Sequence, residues 1–347
     1  MSPRRILVVD DSAVARRAIT QVIRDHRDLE LAGLAENGEV GLRRILAQRP
    51  DAVVLDLHMP VLDGRGLLKE LQRRGEQIPV VVLSSHVGEG PRETVAALAE
   101  GAVGFVPKPS SLTSNEDWVG QLVQLLLKVS RPPAPKSAAP PRPKPIPDSH
   151  GSRISAVVVG VSTGGPETLE AFLSSVPGPL STPMLIVQHM PEPFPAALAE
   201  RLASRCRLPV QVAAEDTRIL RGHVYLAPGG RHLGVVTGPE HSVLARLSDG
   251  PREAHARPAA DHLFRTAAEV YGRGLLAIVM TGLGHDGLIG SAAVVERGGT
   301  VLAQDAASCV VDSMPAAVRS AGLEYASLSP QGLAAEVAAR GQGRTTV

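Results

Sequence analysis

Aromatic side chains are scarce in this sequence: four Phe, three Tyr and one Trp make up 2% of its 347 residues. Its cores must therefore be filled by Ala, Val and Leu. Cysteine is nearly absent, and Cys206 and Cys309 form neither a disulfide framework nor a Cys-x-x-Cys pair. That argues against a structural zinc site and for a reducing compartment, with both thiols read as small buried hydrophobes. No apolar run approaches the roughly 20 residues of a membrane span, and MSPRRILVVDDSA reaches its first acidic pair without a long apolar segment. The expectation is a cytoplasmic protein with no membrane insertion. Charge of one sign is also missing: 36 basic residues face 35 acidic ones, a formal net charge of +1. No global field favours nucleic acid. What is present, 44% hydrophobic and 20% charged residues over 347 positions, suits a folded chain long enough for two domains.

The chain divides at RPPAPKSAAPPRPKPIP, residues 131–147, where eight of 17 residues are proline and four are basic. Proline fixes φ and removes donors, so this stretch reads as an extended, semi-stiff linker. The expected organisation is a first domain over 1–125, a linker over 126–152 and a second domain over 153–347. Before the linker, short β-branched runs (RILVVDD, LELAGLA, AVVLDLHMP, VVVLSSH, GFVPKPS) alternate with helical patterns. Five strands alternating with five helices predict a flavodoxin-like parallel sheet covered on both faces, with its functional crevice at the carboxyl ends of the strands.

Those ends carry polar residues. Asp10 and Asp11 close the first strand, Asp56 the third, Ser84 the fourth and Lys108 the fifth. Three converging carboxylates repel unless a cation joins them, and a hard divalent ion such as Mg²⁺ suits oxygen ligands. Asp56 could then attack a phosphoryl group, with Lys108 and the Ser84 hydroxyl at the transferred oxygens. Singly, each residue has a plainer reading: Asp10 or Asp11 as a helix cap, Lys108 as a solvated charge, Ser84 as a turn hydroxyl. The motifs VVDDS, LDLHMPVLDG, LSS and VPKP resemble the receiver domain of two-component response regulators. By that resemblance Asp56 is the phospho-acceptor, Asp10, Asp11 and Asp56 hold the metal, and Ser84 and Lys108 are the switch hydroxyl and phosphate partner.

After the linker, AVVVGV leads into Ser162 within VGVSTGGP, a Gly-x-Ser-x-Gly pentad that can expose a serine on a strand-to-helix turn. A second buried-strand pattern, PMLIVQH, ends at His189. A third, GLLAIVMTG, is followed by LGHDG, which carries Asp286. A serine needs an imidazole to take its proton and a carboxylate to orient that imidazole, and the ends of parallel strands can assemble the three. Backbone N–H groups of STGG or TGLGHDG could serve a developing oxyanion. Each member keeps an alternative: His189 as a satisfied strand-end histidine, Asp286 as an N-cap, and His285 as a rival base disfavoured by its adjacency to Asp286. The histidines at 223, 232, 241, 255 and 262 read as lying in an antiparallel-looking segment or in loops, too sparse for a zinc hydrolase.

Chain order, Ser162 then His189 then Asp286, disfavours the α/β-hydrolase fold, whose order is Ser, acid, His. The motifs GVSTGG, VQHMP, VYLAPGGRHL, MTGLGHDG and AQDAASCVV instead resemble the catalytic domain of chemotaxis protein-glutamate methylesterases, the CheB family. The resemblance implies a doubly wound α/β domain with some antiparallel strands, and a Ser162–His189–Asp286 hydrolase needing no cofactor for the esterase chemistry. It implies removal of methyl esters from glutamates of methyl-accepting chemoreceptors, deamidation of receptor glutamines, phosphorylation by a CheA-type histidine kinase and recruitment to receptor arrays. Some positions depart from the family pattern: Val161 beside the serine, Leu283 in TGLG, Asp312 and Ser313 in CVVDSMP, and His58 after the phospho-acceptor. A competing reading is a receiver-containing signalling adaptor with an inactive hydrolase fold, which the complete triad disfavours.

Overall fold

A computed structural model describes residues 2–84, 90–108, 116–130, 154–178 and 180–341, so the proline-rich stretch 131–147 lies outside the described residues. The chain forms two compact units, residues 1–135 and 136–347.

In the first unit the elements run β1 (Arg4–Val9), α1 (Ala13–Arg24), β2 (Leu29–Ala35), α2 (Gly38–Gln48), β3 (Ala52–Asp56), α3 (Gly64–Arg73), β4 (Val80–Ser84), α4 (Gly90–Ala99), β5 (Gly104–Pro107) and α5 (Glu116–Val129). The strands pair in parallel in the order β2-β1-β3-β4-β5. β3 and β4 are buried at every position, as continuous Val/Leu runs must be when helices cover both faces of a sheet. Helix starts are set by side chains: Ser12, Asn37 and Asp63 accept N–H bonds from Ala15, Val40 and Gly66. The cap of α1 is thus Ser12 rather than Asp10 or Asp11. Helix α5 runs to Val129, beyond residue 125, and its last turn occupies positions that the sequence assigned to the linker. Leu122, Leu126 and Val129, one helical face, are buried and hold that turn to the core.

The second unit begins with β6 (Ala156–Val161), α6 (Gly165–Ser175), β7 (Met184–Gln188), α7 (Phe194–Arg205), β8 (Val210–Val212) and β9 (Val224–Leu226). An antiparallel hairpin follows, β10 (His232–Thr237) and β11 (Val243–Ser248). The chain then crosses back through α8 (Ala260–Tyr271), β12 (Leu275–Val279), α9 (Leu288–Glu296), β13 (Thr300–Gln304), α10 (Ser313–Ser320), β14 (Ala326–Leu328) and α11 (Pro330–Gly341). Seven parallel strands are ordered β14-β13-β12-β6-β7-β9-β8, beside the separate β10-β11 pair. From β6 the chain winds outward through β7, and after the hairpin it returns to the other side of β6 at β12. That reversal is a topological switch point, where a crevice opens at the carboxyl ends of the strands. The core around it is Val, Leu, Ala and Phe, with Phe172, Phe194, Phe264 and Tyr225 fully buried.

Two readings of side-chain setting change. His262 lies on α8, not in a loop, whereas His232 does open a strand of the antiparallel pair and is 1% exposed. Both cysteines are only half-buried, and burial still pushes their thiols up. Among the described residues no helix is long and apolar enough to cross a membrane.

Candidate active site and receiver site

Ser162 directly follows β6, His189 directly follows β7, and Asp286 lies in the turn between β12 and α9, so three adjacent strands deliver them. The turn after β6 is held by its backbone: Ser162 N–H donates to Thr281 O at 2.9 Å, and Gly165 N–H to Ser162 O at 2.8 Å. Gln188 Nε2, from the end of β7, donates to the same Ser162 carbonyl at 3.0 Å. The turn needs its glycines. Gly164 has φ +78°, Gly165 lies so close to Gln188 that a Cβ would fall 1.9 Å from Oε1, and a Cβ on Gly282 would lie 2.8 Å from that of Ser162. Gly164→Ala is expected to cost about 1–3 kcal/mol, through a positive φ and a Cβ placed 2.6 Å from Val310; a denaturant titration would measure it.

His189 Nε2 and Asp286 Oδ2 are 2.6 Å apart, His189 partly exposed and Asp286 1% exposed. Nε2 is the nitrogen turned to the carboxylate, which leaves Nδ1 to accept a proton. The same carboxylate accepts N–H bonds from Ala260 (2.6 Å), Asp261 (2.9 Å) and Gly287 (2.9 Å). Burial alone would raise this carboxyl; the His189 bond and charge and the N–H groups of Asp261 and Ala260 outweigh it and hold it below the ordinary value. Asp286 does act as a cap, but mainly of α8, whose N-terminal residue Ala259 has no side-chain acceptor to offer. His285, the rival base, is exposed beside it.

Several backbone donors near the serine are engaged: those of Ser162, Gly165, Thr281 and Gly282 all have acceptors. Those of Thr163, Gly164, Leu283, Gly284 and His285 find none among the described residues. The serine turn and the β12–α9 turn therefore both present free donors at the site.

Of the positions that depart from the family pattern, Val161 is fully buried within β6 and does not line an open pocket. Leu283 is half-buried in the turn leading to Asp286. Asp312 is paired to Arg319 one helical stretch away, and Arg319 also donates to Gln304 O at 3.0 Å, so the extra carboxylate is neutralised within α10. Asp261, buried beside Asp286, was not foreseen; an acidic residue early in a helix ordinarily signals only a favourable interaction with the helix dipole.

In the first unit Asp10 and Asp56 are buried and Asp11 is exposed, and each offers a carboxylate oxygen within 4.8 Å of the other two. Lys108 Nζ lies 2.9 Å from Asp56 Oδ2 and 3.2 Å from Asp10 Oδ2. Burial pushes Asp10 up, Lys108 opposes this and Asp56 adds to it. Burial would likewise lower Lys108, but the two carboxylates hold its ammonium above the ordinary lysine value. The Ser84 hydroxyl is paired with Thr94 Oγ1 on α4. Its carbonyl accepts Lys108 N–H at 2.7 Å. Next to this cluster a cavity of about 490 Å³ is lined by Asp11, Leu57, His58, Met59, Asp63, Arg65 and Glu93. His58 Nε2 reaches Glu93 Oε2 of α4 at 2.6 Å across it.

A five-stranded parallel sheet with clustered carboxylates, followed by a doubly wound sheet with serine, histidine and aspartate at its switch point, defines a receiver joined to a hydrolase-type domain. Residues 6–116 match the family model of the response regulator receiver domain, and residues 157–337 that of CheB methylesterase. The chain belongs to the CheB methylesterase family. It is 41% identical over 331 residues to protein-glutamate methylesterase/protein-glutamine glutaminase 2 of Koribacter versatilis, covering 90% of each chain. To the protein of that designation numbered 5 in Myxococcus xanthus it is 40% identical over 344 residues, covering 96% of this chain and 97% of the other. The crystal structure of the Thermotoga maritima CheB methylesterase catalytic domain is similar at a TM-score of 0.52 and 36% identity, covering 53% of this chain and 97% of that one.

Proposed function

We propose that this protein hydrolyses methyl esters of glutamate side chains on chemoreceptors, and deamidates receptor glutamines, when its receiver is phosphorylated at Asp56. The observation that carries the reading is the delivery of Ser162, His189 and Asp286 by three adjacent strands, with His189 held at 2.6 Å by a buried carboxylate.

In the reaction, Ser162 Oγ attacks the ester carbonyl carbon as His189 Nδ1 takes its proton. The new carbon–oxygen bond makes a tetrahedral oxyanion, for which the free N–H groups of the serine turn and of the Leu283–His285 turn are candidate donors. Collapse breaks the bond to the methoxy group, which leaves as methanol with the proton from His189. Water, deprotonated by the same imidazole, then cleaves the acyl-enzyme to glutamate and free serine. With a glutamine substrate the leaving group is ammonia. Asp286 stays ionised throughout and fixes which ring nitrogen faces the serine.

In the receiver, Asp56 is the phospho-acceptor, and a CheA-type histidine kinase is the phosphodonor. Asp10, Asp11 and Asp56 are oxygen donors close enough to share one hard divalent cation, the donor chemistry such an ion prefers. Held by these three carboxylates, a Mg²⁺ ion would supply charge neutralisation at the phosphoryl oxygens. Lys108, already bonded to Asp56, supplies a second positive charge. Ser84 would have to leave Thr94 to reach an acylphosphate oxygen, which makes its hydroxyl a switch element.

The test is methanol release from methylated receptor membranes, with and without acetyl phosphate and Mg²⁺. Release is expected to rise with the phosphodonor, and in Asp56→Ala to be indifferent to it. An intact protein indifferent to phosphodonor would remove the regulatory half of the proposal, and absence of methanol under every condition would leave the adaptor reading.

A further inference from the structure

Two buried carboxylates, not one, lie behind His189. Asp286 precedes α9 and caps α8 by accepting from Ala260 and Asp261 N–H. Asp261, in the first turn of α8, returns the arrangement: its Oδ1 accepts Gly290 N–H of α9 at 2.6 Å. Neither helix has a side-chain cap of its own, Ala259 preceding α8 and Gly287 preceding α9. Each helix is therefore capped by the acid of the other, and Asp261 N–H to Asp286 Oδ1 (2.9 Å) ties the two acids together. A Cβ on Gly290 would fall 3.0 Å from Asp261 Cα, so the helices meet at a backbone approach that only glycine allows.

We propose that Asp261 is a positioning residue of the hydrolytic site, which locks Asp286 through this reciprocal cap and, when ionised, strengthens the imidazole–carboxylate pair that activates Ser162. The inference rests on the triad reading given above. Among the described residues Asp261 has no salt-bridge partner, and Arg265 only weakly opposes the rise of its carboxyl. Burial pushes its carboxyl up to about 6, with Gly290 N–H opposing and the neighbouring Asp286 charge reinforcing the rise. The charged groups around it are few. Asp286 is the nearest, and His189 lies beyond it; Arg265 on α8 donates from both terminal guanidinium nitrogens to Glu253. β6, β7 and β12 carry no ionisable side chain, α9 carries none before Glu296, and β10 offers only His232, stacked on His262 of α8. Ionisation of Asp261 thus puts a second negative charge behind the imidazolium that forms in the transition state, in surroundings with little to screen it.

Asp261→Asn keeps an oxygen for Gly290 N–H and removes the charge. The ratio of wild-type to Asp261→Asn kcat/KM for methanol release is expected to be near one at pH 5, to rise through pH about 6 and to level off at about three- to tenfold. A ratio independent of pH would overturn the electrostatic role. The capping role is read without substrate, from thermal unfolding of Asp261→Ala, Asp286→Ala and the double variant. Mutual caps predict a double-variant loss clearly smaller than the sum of the single losses, and additive losses would overturn them. Asp261→Asn is also expected to melt increasingly above wild type as pH rises from about 4 to about 6. A carboxyl raised in the folded state contributes stability below its unfolded value that is lost as pH climbs through its folded value. Ser162→Ala separates the two failures: methanol release that survives it refutes the triad while leaving the melting results to decide the caps.

Discussion

Ser162→Ala is expected to lower kcat for methanol release by roughly 10⁴-fold or more while leaving the unfolding free energy within about 0.5 kcal/mol of wild type. The two halves of the expectation have separate physical grounds. Loss of the nucleophile removes the covalent route, and what is left is the stabilisation that the free turn amides give to direct attack by water. The small effect on stability follows because Ser162 is partly exposed and its hydroxyl makes no hydrogen bond among the described residues. Its backbone does the structural work, through Ser162 N–H to Thr281 and the Ser162 carbonyl receiving Gly165 N–H and Gln188 Nε2. A methanol assay beside a urea titration decides the matter. A variant that loses activity only because it unfolds would assign Ser162 to the scaffold, and one that keeps its activity would remove the serine mechanism.

Much of this architecture was legible because parallel strands buried on both faces must be continuous apolar runs, and runs such as AVVVGV, MLIVQ and LLAIV have no other economical fold. Polar residues immediately after such runs could be placed at a sheet edge without knowing the order of the strands. Adjacency was beyond that reasoning. That β12 returns to lie against β6, bringing Asp286 beside His189, depends on contacts across more than a hundred residues. Burial of polar residues was equally hidden: Asp261 reads as a common first-turn acid, and only the packing of α9 across α8 makes it a cap. The same limit applies to Val161, a departure from the family pattern whose setting could not be read from its position next to the serine. In a strand the side chains alternate between faces, and this one is fully buried. The pairing of Asp312 was hidden too, because its partner, Arg319, lies two turns along a helix whose start the sequence does not mark. His262 was misplaced in a loop for a related reason: the helix start at Ala260 has no cap signal of its own, since its cap is Asp286.

The last of these points makes Asp286 the position where stability and catalysis should fail together. Asp286→Ala removes one acceptor from His189 and three from backbone N–H groups at a site 1% exposed. Gly287 is buried, Ala260 and Asp261 are fixed in the buried first turn of α8, and an unmet buried donor costs about 1–3 kcal/mol. The expected loss is about 3–5 kcal/mol near neutral pH, together with a fall in kcat of about 10⁴-fold as the imidazole loses its orienting partner. Asp286→Asn tests the chemistry more narrowly, because it preserves volume and can still accept on one edge. Its kcat is expected to fall as far as that of the alanine variant, with a smaller loss of stability. The sign of the pH dependence is fixed by the direction of the shift. A carboxyl held below its ordinary value of 3.8 contributes stability above that value, and the contribution disappears as pH falls through the folded value. The gap in unfolding free energy between wild type and Asp286→Ala should therefore narrow below about pH 4. A gap that stayed constant into acid would mean that the carboxylate's charge does not hold α8, His189 and α9 together, and that the caps act by shape alone.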